Sequence, residues 1–434
     1  MSLPENGSST CTRIPPVAEA PLMDEALLRD FVQGFFARGQ EYLSLASEYG
    51  SPLYVLESEV LRRKSAQFQA AFRAHLSEVG FYYAVKSNNH PEVARILMQS
   101  GTGLDVSSGL ELAMAVSLGA EDIVFSGPGK TEGELCDAVA QAERVVVLVD
   151  SFGELARLEE IAAQHHKNVR IGVRLTTNPQ GLWRKFGILP EKLLEFQEQA
   201  ERCPHLRFTG IQFHTSWNLT PAAQLEFISK LGAILARLPS SARRQIEFID
   251  IGGGYWPPQG EWLQESGTEA GKLRLAMGLA PENNGNHYRL PTVSIEAFAE
   301  AVCRAIKEHI LRVISCRICF EPGRWLCNDA MHLLLQVVDR KGDDLVITDG
   351  GTNSIGWERF ETDYFPVLNL SRPAMEEKPC HVLGSLCTPH DVWGYNYWGE
   401  DIQPGDVLMI PTQGAYTYSL RQNFIKPLPE VAII

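Results

Sequence analysis

Lys86 stands where the apolar run Phe81-Tyr82-Tyr83-Ala84-Val85 gives way to Ser87 and Asn88. The run reads as a strand up to Val85 whose C-terminal end delivers an amine. A lysine desolvated at the mouth of a sheet has its pKa lowered, and the free amine can then form a Schiff base with an aldehyde cofactor. The alternative is a snorkelling lysine with its charged head in water. Three other groupings bear on that choice. Ile249-Asp250-Ile251 runs into Gly252-Gly253-Gly254, where bare backbone lets N–H groups approach a phosphate closely, or else simply turns. Glu321-Pro322-Gly323-Arg324 sets a carboxylate and a guanidinium on either side of a turn, after the apolar Ile318-Cys319-Phe320. A carboxylate there could keep a pyridine nitrogen protonated and so make the ring an electron sink; the plainer reading is a surface ion pair. His214, in Phe213-His214-Thr215-Ser216, follows an alternating strand. It could stack on a planar cofactor, or be a packed and hydrogen-bonded residue.

These groups need a scaffold that brings them together. Short apolar runs at 81–85, 102–106, 122–126, 144–149, 169–175, 208–214, 246–251 and 316–320 alternate with amphipathic stretches such as 131–142, 153–165, 190–201, 221–237 and 294–311. Eight strands with crossover helices predict an α/β fold, a (β/α)8 TIM barrel, with a helix over 57–77 ahead of the first strand. In such a barrel Lys86 ends the first strand, Asp105 and Ser108 the second, Arg174 the fifth, His214 the sixth, Gly252 to Gly254 the seventh and Glu321 to Arg324 the eighth. All of them converge on one mouth. The long loop at 176–187 and the Gly-, Pro- and Asn-containing stretch 255–293 also follow strand ends, where barrel active sites are built. The latter shows little strand alternation and reads as a surface loop or lid. Beyond residue 325 closely spaced strands separated by Gly, Asp and Pro turns predict a C-terminal β domain. The expected organisation is an N-terminal extension over 1–45, the barrel over 46–324 and the β domain over 325–434, with the strand at Ser51 to Leu56 contributing to the β domain. That domain carries Gly384-Ser385-Leu386-Cys387-Thr388-Pro389-His390-Asp391 and Gly414-Ala415-Tyr416. Neither segment is specific alone: Cys387 could be a buried filler and Tyr416 an ordinary strand aromatic.

The chain has 434 residues, 44% of them hydrophobic, and a formal net charge of −14. The length calls for two domains. The acidity speaks against nucleic-acid and membrane surfaces, leaving small molecules as the implied partners. The first 21 residues lack a basic region followed by an apolar one, so no signal peptide is expected. No apolar stretch reaches the ~18 residues a membrane span requires. Nine cysteines without a regular framework point to a reducing, cytoplasmic compartment. Cys316 and Cys319 form one CxxC inside a strand-like run with no second ligand pair, so no metal site is expected.

The motifs, in this order, resemble the fold type III pyridoxal-phosphate decarboxylases, the family of the diaminopimelate, ornithine and arginine decarboxylases, over nearly everything from residue 45 onward. Tyr83-Ala84-Val85-Lys86-Ser87-Asn88 is similar to the family's YAVKAN segment, Asp105-Val106-Ser107-Ser108-Gly109-Leu110-Glu111 to its D-x-x-S-x-x-E segment, and Arg174 with Lys185-Phe186-Gly187 to its R…KFG segment. The resemblance implies that Lys86 carries pyridoxal 5'-phosphate as a Schiff base and that His214 stacks on the ring. It implies also that Glu321 pairs with the pyridine nitrogen, and that Ser216, Gly254, Gly323, Arg324 and Tyr416 surround the phosphate. Asp105 and Arg174 belong to the same cofactor-binding set. Cys387 resembles the cysteine that reaches into a partner subunit's site and protonates the product, with Asp391 in the same motif. A homodimer with shared active sites is therefore implied, and an amino acid as substrate. Alanine racemases of this fold face the ring nitrogen with an arginine, so Glu321 favours decarboxylation over the rival racemase or epimerase reading. Retention of Lys86 and Cys387 speaks against a non-catalytic binding protein.

Departures bear on the substrate. Diaminopimelate enzymes typically carry a glutamate after the cysteine and ornithine-type enzymes an aspartate; here Thr388 follows. The family's His-x-Gly-Ser becomes His214-Thr215-Ser216-Trp217. Asp349, in Asp349-Gly350-Gly351-Thr352, resembles the region of an acidic substrate contact in ornithine-type enzymes. Arg359 is a candidate for a distal carboxylate. Diaminopimelate, ornithine, lysine or a related specialised substrate all fit this pattern.

Overall fold

The computed structural model describes residues 20–279, 285–356 and 362–434. Eight parallel strands close into a barrel: β2 (Val79–Ala84), β3 (Gly103–Val106), β4 (Ile123–Phe125), β5 (Val145–Val149), β6 (Val169–Leu175), β7 (Leu206–Phe213), β8 (Phe248–Asp250) and β11 (Arg317–Phe320), with β11 pairing both β8 and β2. The runs are almost wholly apolar because a strand in a parallel barrel is covered on both faces, by helices outside and by other strands' side chains inside. Tyr82, Val124, Leu148 and Cys319, with Phe248 against them, form one such interior cluster. Gly172 and Gly210 leave the room that the Phe248 ring occupies. Cys319 of the CxxC is thus barrel filling.

Several crossover helices start on a polar side-chain cap. Ser108, Ser151 and Ser294 each accept the N–H three residues on, and Thr131 with Glu134 forms a reciprocal capping box, so the strand-end loops are braced on their helices. One boundary differs from the sequence expectation in a consequential way. β2 stops at Ala84, and Val85–Ser87 forms a 3-10 turn, so Lys86 leaves the sheet on a tight turn rather than at a strand tip.

The second unit is an eight-stranded sheet. Its strands run in the order β13 (Leu345–Thr348), β15 (Glu377–Leu383), β16 (Val392–Trp398), β14 (Leu368–Asn369), β17 (Val407–Ile410), β12 (Met331–Arg340), β1 (Leu53–Leu56) and β18 (Glu430–Ile433). β1 pairs antiparallel with β12 and parallel with β18, so the strand that precedes the barrel belongs to this sheet. Residues 25–36 and 39–49, left without elements in the sequence reading, are two helices. Their Leu28, Val32 and Tyr42 share an apolar cluster with Leu53, Val55, Leu334 and Met409. This packing, rather than local propensity, holds short helices in place.

The 255–293 insertion also departs from expectation. It contains an antiparallel pair, β9 (Glu261–Leu263) and β10 (Tyr288–Leu290), and a helix over Glu269–Ala276. Leu263 bridges Asp363, and Gln264 and Tyr364 exchange backbone bonds with Thr362 and Trp262, so the insertion is stitched to the sheet-rich unit. Strands of three residues are too short to display alternation. Among the described residues no helix is long and apolar enough to cross a membrane.

Glu57, at the end of β1, ties the N-terminal helices to β12. It accepts hydrogen bonds from Arg38 Nη1 at 2.9 Å, Tyr42 OH at 2.6 Å and His332 Nε2 at 3.1 Å. Burial alone would raise its pKa, but the bond and charge of His332, with the Arg38 bond, outweigh it and bring the carboxyl from 4.5 to about 2. A depressed carboxyl contributes stability above its unfolded pKa and loses it as pH falls through the folded value. Wild-type Tm should therefore fall between pH 4.5 and 2 more steeply than that of Glu57→Gln. Glu57→Ala should cost ~3 kcal/mol in denaturant unfolding at neutral pH, because it strands the buried Tyr42 and His332 and leaves Arg38 without this partner.

Candidate active site

One cavity of about 800 Å³ opens at the C-terminal mouth of the barrel. Lys86, Arg174, His214, Ser216, Gly254, Glu321, Gly323, Arg324 and Tyr416 all line it. Strand pairing sets Ala84 of β2 opposite Asp105 of β3, and from there Asp105 Oδ2 accepts Lys86 Nζ at 2.9 Å. The Asp105 carboxylate is fully buried and its Oδ1 accepts the Ser126 hydroxyl at 2.6 Å.

This arrangement corrects the expectation of a lowered lysine pKa. Burial does push the amine down, but the charge of Asp105, then that of Glu321, outweighs it, and Lys86 is held well above the usual lysine range. In the cofactor-free protein it is an ammonium.

His214 follows β7 and presents its ring to the cavity. Its Nδ1 accepts the Gly253 N–H at 3.1 Å, which leaves the proton on Nε2. Burial, then the Lys86 and Arg174 charges, bring its pKa down to about 3, so the imidazole is neutral. Its 3.8 Å approach to Glu321 Oε2 is therefore no ion pair.

Glu321 is 2% exposed, and its two oxygens receive Gln212 Nε2 at 3.3 Å each, long bonds for a carboxylate. Gln212 was missed in the sequence. Alternation along β7 marks it, since Gly210, Gln212 and His214 share a face.

The glycine run needs its glycines. Gly252 and Gly254 have φ of 73° and 89°, and a Cβ on either would collide with the backbone carbonyls of Phe213 and Thr215 respectively. In the same cavity, the Arg324 guanidinium carbon lies 4.5 Å from the centre of the Trp256 ring and 4.9 Å from that of Tyr416, within cation–π reach of both. Tyr416 itself has a φ of 57°, a left-handed conformation a non-glycine residue rarely adopts, and its N–H donates to Ser87 O. The turn carrying Lys86 and the Tyr416 turn are thereby joined.

Four expected site residues are not brought to this cavity, and a fifth lies outside the described residues. Cys387 is exposed and does not line it. Thr388 shapes the same turn, its carbonyl accepting the Asp391 N–H. Asp391 is 2% exposed, with its oxygens bonded to Thr352 N–H and hydroxyl and to Leu386 N–H, so it braces the turn from a buried position. Asp349 accepts Ser51 Oγ at 2.5 Å and Gln336 N–H at 2.9 Å, a link between β13 and the residues before β1. Arg359 is the one outside the described residues.

Apart from Phe186, the residues of the cavity wall beyond the reacting groups went unread in the sequence, although the loops that carry several of them were expected at the mouth. Trp183 and Phe186 come from the 176–187 loop, Trp217 from the turn after β7, Trp256 and Glu261 from the insertion, and Thr362 and Asp363 from the sheet-rich unit. Trp217 Nε1 donates to Glu261 Oε1 at 3.2 Å. No periodic pattern marks these residues, because each sits on an irregular segment.

Residues 59–328 match the family model described as pyridoxal-dependent decarboxylase, pyridoxal binding domain. The chain belongs to this family: it is a pyridoxal-phosphate-dependent amino-acid decarboxylase of the barrel fold type. Among its relatives, the diaminopimelate decarboxylase of Aquifex aeolicus is 27% identical over 405 residues, covering 90% of this chain and 87% of that protein. The L-glutamyl-[BtrI acyl-carrier protein] decarboxylase of Niallia circulans is 26% identical over 404 residues, covering 87% of each. The crystal structure of diaminopimelate decarboxylase from Methanocaldococcus jannaschii in co-complex with L-lysine has the same fold, with a TM-score of 0.75 at 23% identity over 91% of this chain and 89% of that one.

The residues present fit the cofactor. A lysine amine, a buried carboxylate, and a glycine run in one cavity with an arginine would supply a nucleophile for the aldehyde, an anion for the ring nitrogen and donors for the phosphate of pyridoxal phosphate. Because Asp105 holds the amine protonated, Asp105→Asn should lower the pH at which Lys86 reacts half-maximally with added pyridoxal phosphate by about one unit or more. The reaction can be followed by visible absorbance, and an unmoved midpoint would show that Asp105 does not set the charge.

Proposed function

We propose that this chain releases carbon dioxide from a diamino acid, with Lys86 holding the cofactor covalently. The observation that carries the reading is the Lys86–Asp105 ion pair in one cavity with the buried Glu321 and the Gly254–Arg324 cradle. In this reading Lys86 receives the cofactor's aldehyde carbon, Glu321 faces the ring nitrogen, His214 faces the ring, and Ser216, Gly254, Gly323, Arg324 and Tyr416 take the phosphate. When bound, pyridoxal phosphate supplies an electron sink for the bond that breaks at Cα.

The protein's own contributions follow from its geometry. Asp105 would receive the Lys86 amine as an ammonium once a substrate amine has displaced it from the cofactor. Neutral His214 can lie against a planar ring without bringing a second cation. Glu321, an anion where an arginine would oppose ring protonation, favours loss of carbon dioxide over reversible proton transfer, which argues against a racemase. Trp183, Trp217, Trp256 and Phe186 offer an apolar passage for an extended side chain. Glu261 and Asp363 offer carboxylates suited to a distal ammonium. Relatives named as diaminopimelate decarboxylases support this substrate class.

Cys387 is proposed to serve the cavity of a second copy. It is exposed and lies away from its own cavity, and the apolar Trp183 and Leu420 at the cavity are 42% and 55% exposed, a surface suited to cover by another chain. There its thiol would return a proton to the product.

Lys86→Ala should bind no visible chromophore and release no carbon dioxide from diaminopimelate, ornithine or lysine. Cys387→Ala should keep the chromophore and slow release by ~100-fold or more. Mixed and co-refolded, the two inactive variants should regain activity, because one hybrid site then has both residues; failure to regain it would show that sites are not shared. Glu261→Gln should raise KM for the diamino acid by about tenfold while leaving kcat within about twofold, as for an interaction equal in ground and transition states.

A further inference from the structure

Asp250 ends β8, fully buried, two residues before the first glycine of positive φ. Register sets it opposite Gln212 of β7 and Cys319 of β11, and Glu321, two residues beyond Cys319, shares the inward face. Asp250 Oδ1 accepts the Gly252 N–H at 2.8 Å, while Oδ2 meets no donor. Gln212 offers no relief: its NH2 is turned to Glu321. Two neighbouring carboxylates, one with a bare anionic oxygen, would be a heavily penalised arrangement in a barrel interior. A single proton removes both problems, since an acid O–H at Oδ2 becomes a donor and Glu321 is within hydrogen-bonding reach.

We propose that Asp250 is a neutral carboxylic acid whose Oδ2 proton is donated to Glu321, so that the buried pair carries one negative charge and Glu321 is the ionised member facing the cavity. The groups around Asp250 favour this. Glu321 and Asp105 are the anions beside it, Tyr255 and Cys319 are neutral, and Arg317 lies toward the other end of β11. Burial first, then the Glu321 charge, push its carboxyl far above the usual range. Asp250 is thus a positioning residue. Its charge-assisted bond is stronger than the two long ones from Gln212, and it holds Glu321 as the anion that would meet the ring nitrogen of a bound cofactor.

The consequence for the ring rests on the role proposed for Glu321, but the protonation state is read without cofactor, so the two can fail separately. Infrared difference spectra of the cofactor-free protein at neutral pH should show a protonated-carboxyl band that Asp250→Asn removes and Glu321→Gln shifts. If Asp250→Asn removes a carboxylate band instead, or if Glu321→Gln leaves the acid band unmoved, the proposal is overturned. Should Asp250→Asn not fold, the shift in Glu321→Gln still decides. In the loaded protein, Asp250→Asn should keep the wild-type pH titration of the bound chromophore, because an amide N–H still donates to Glu321. Asp250→Ala should move it by about one pH unit. Equal shifts in both variants would overturn the positioning role.

Discussion

The site depends on how three buried carboxylates are accommodated around one amine. Asp105, Glu321 and Asp250 all point into the barrel mouth, and Lys86 is the cation paired with them there. Left ionised together, three anions in a water-poor interior would repel one another and lack donors. The structure relieves this by division. Asp105 takes the ammonium and Ser126, Asp250 in our proposal takes a proton and donates it to Glu321, and Glu321 keeps its charge with that bond and the two long ones from Gln212. Under the proposed function, that division would leave Glu321 as the anion for a ring nitrogen and Lys86 as the amine for an aldehyde.

The second unit supports the same division from above. Tyr416 reaches the cavity on a strained turn bonded to Ser87 O, and Arg324 lies within cation–π reach of Trp256 and Tyr416. The cradle's two halves thus come from the barrel and from the sheet, and neither unit alone would complete it. The N-terminal helices, through Glu57, anchor the sheet strands that hold these turns. The insertion strands, stitched to Thr362 and Tyr364, set the far wall where a substrate's side chain would lie.

Expectation and structure diverge most usefully at Lys86. A local reading notices desolvation, which lowers an amine's pKa; it does not weigh Asp105, nineteen residues on, whose approach is decided by the pairing of β2 with β3. Asp391 and Asp349 diverge for a related reason. Their segments resemble substrate-contacting ones, yet each carboxylate is spent on backbone N–H and hydroxyl groups that only the folded turns present to it.

The sequence by itself determined the barrel, the family's cofactor chemistry and most of the cavity's inner ring. Lys86, His214, the glycine run and Glu321 each stand at the end of an apolar run, and a parallel barrel brings strand ends together whatever the loops do. Only the tertiary structure decided how charge is shared among Asp105, Lys86, Glu321 and Asp250, and which residues form the aromatic far wall. Those outcomes depend on strand register, irregular loops and surfaces between units, and contacts of that kind leave no periodic trace along the chain.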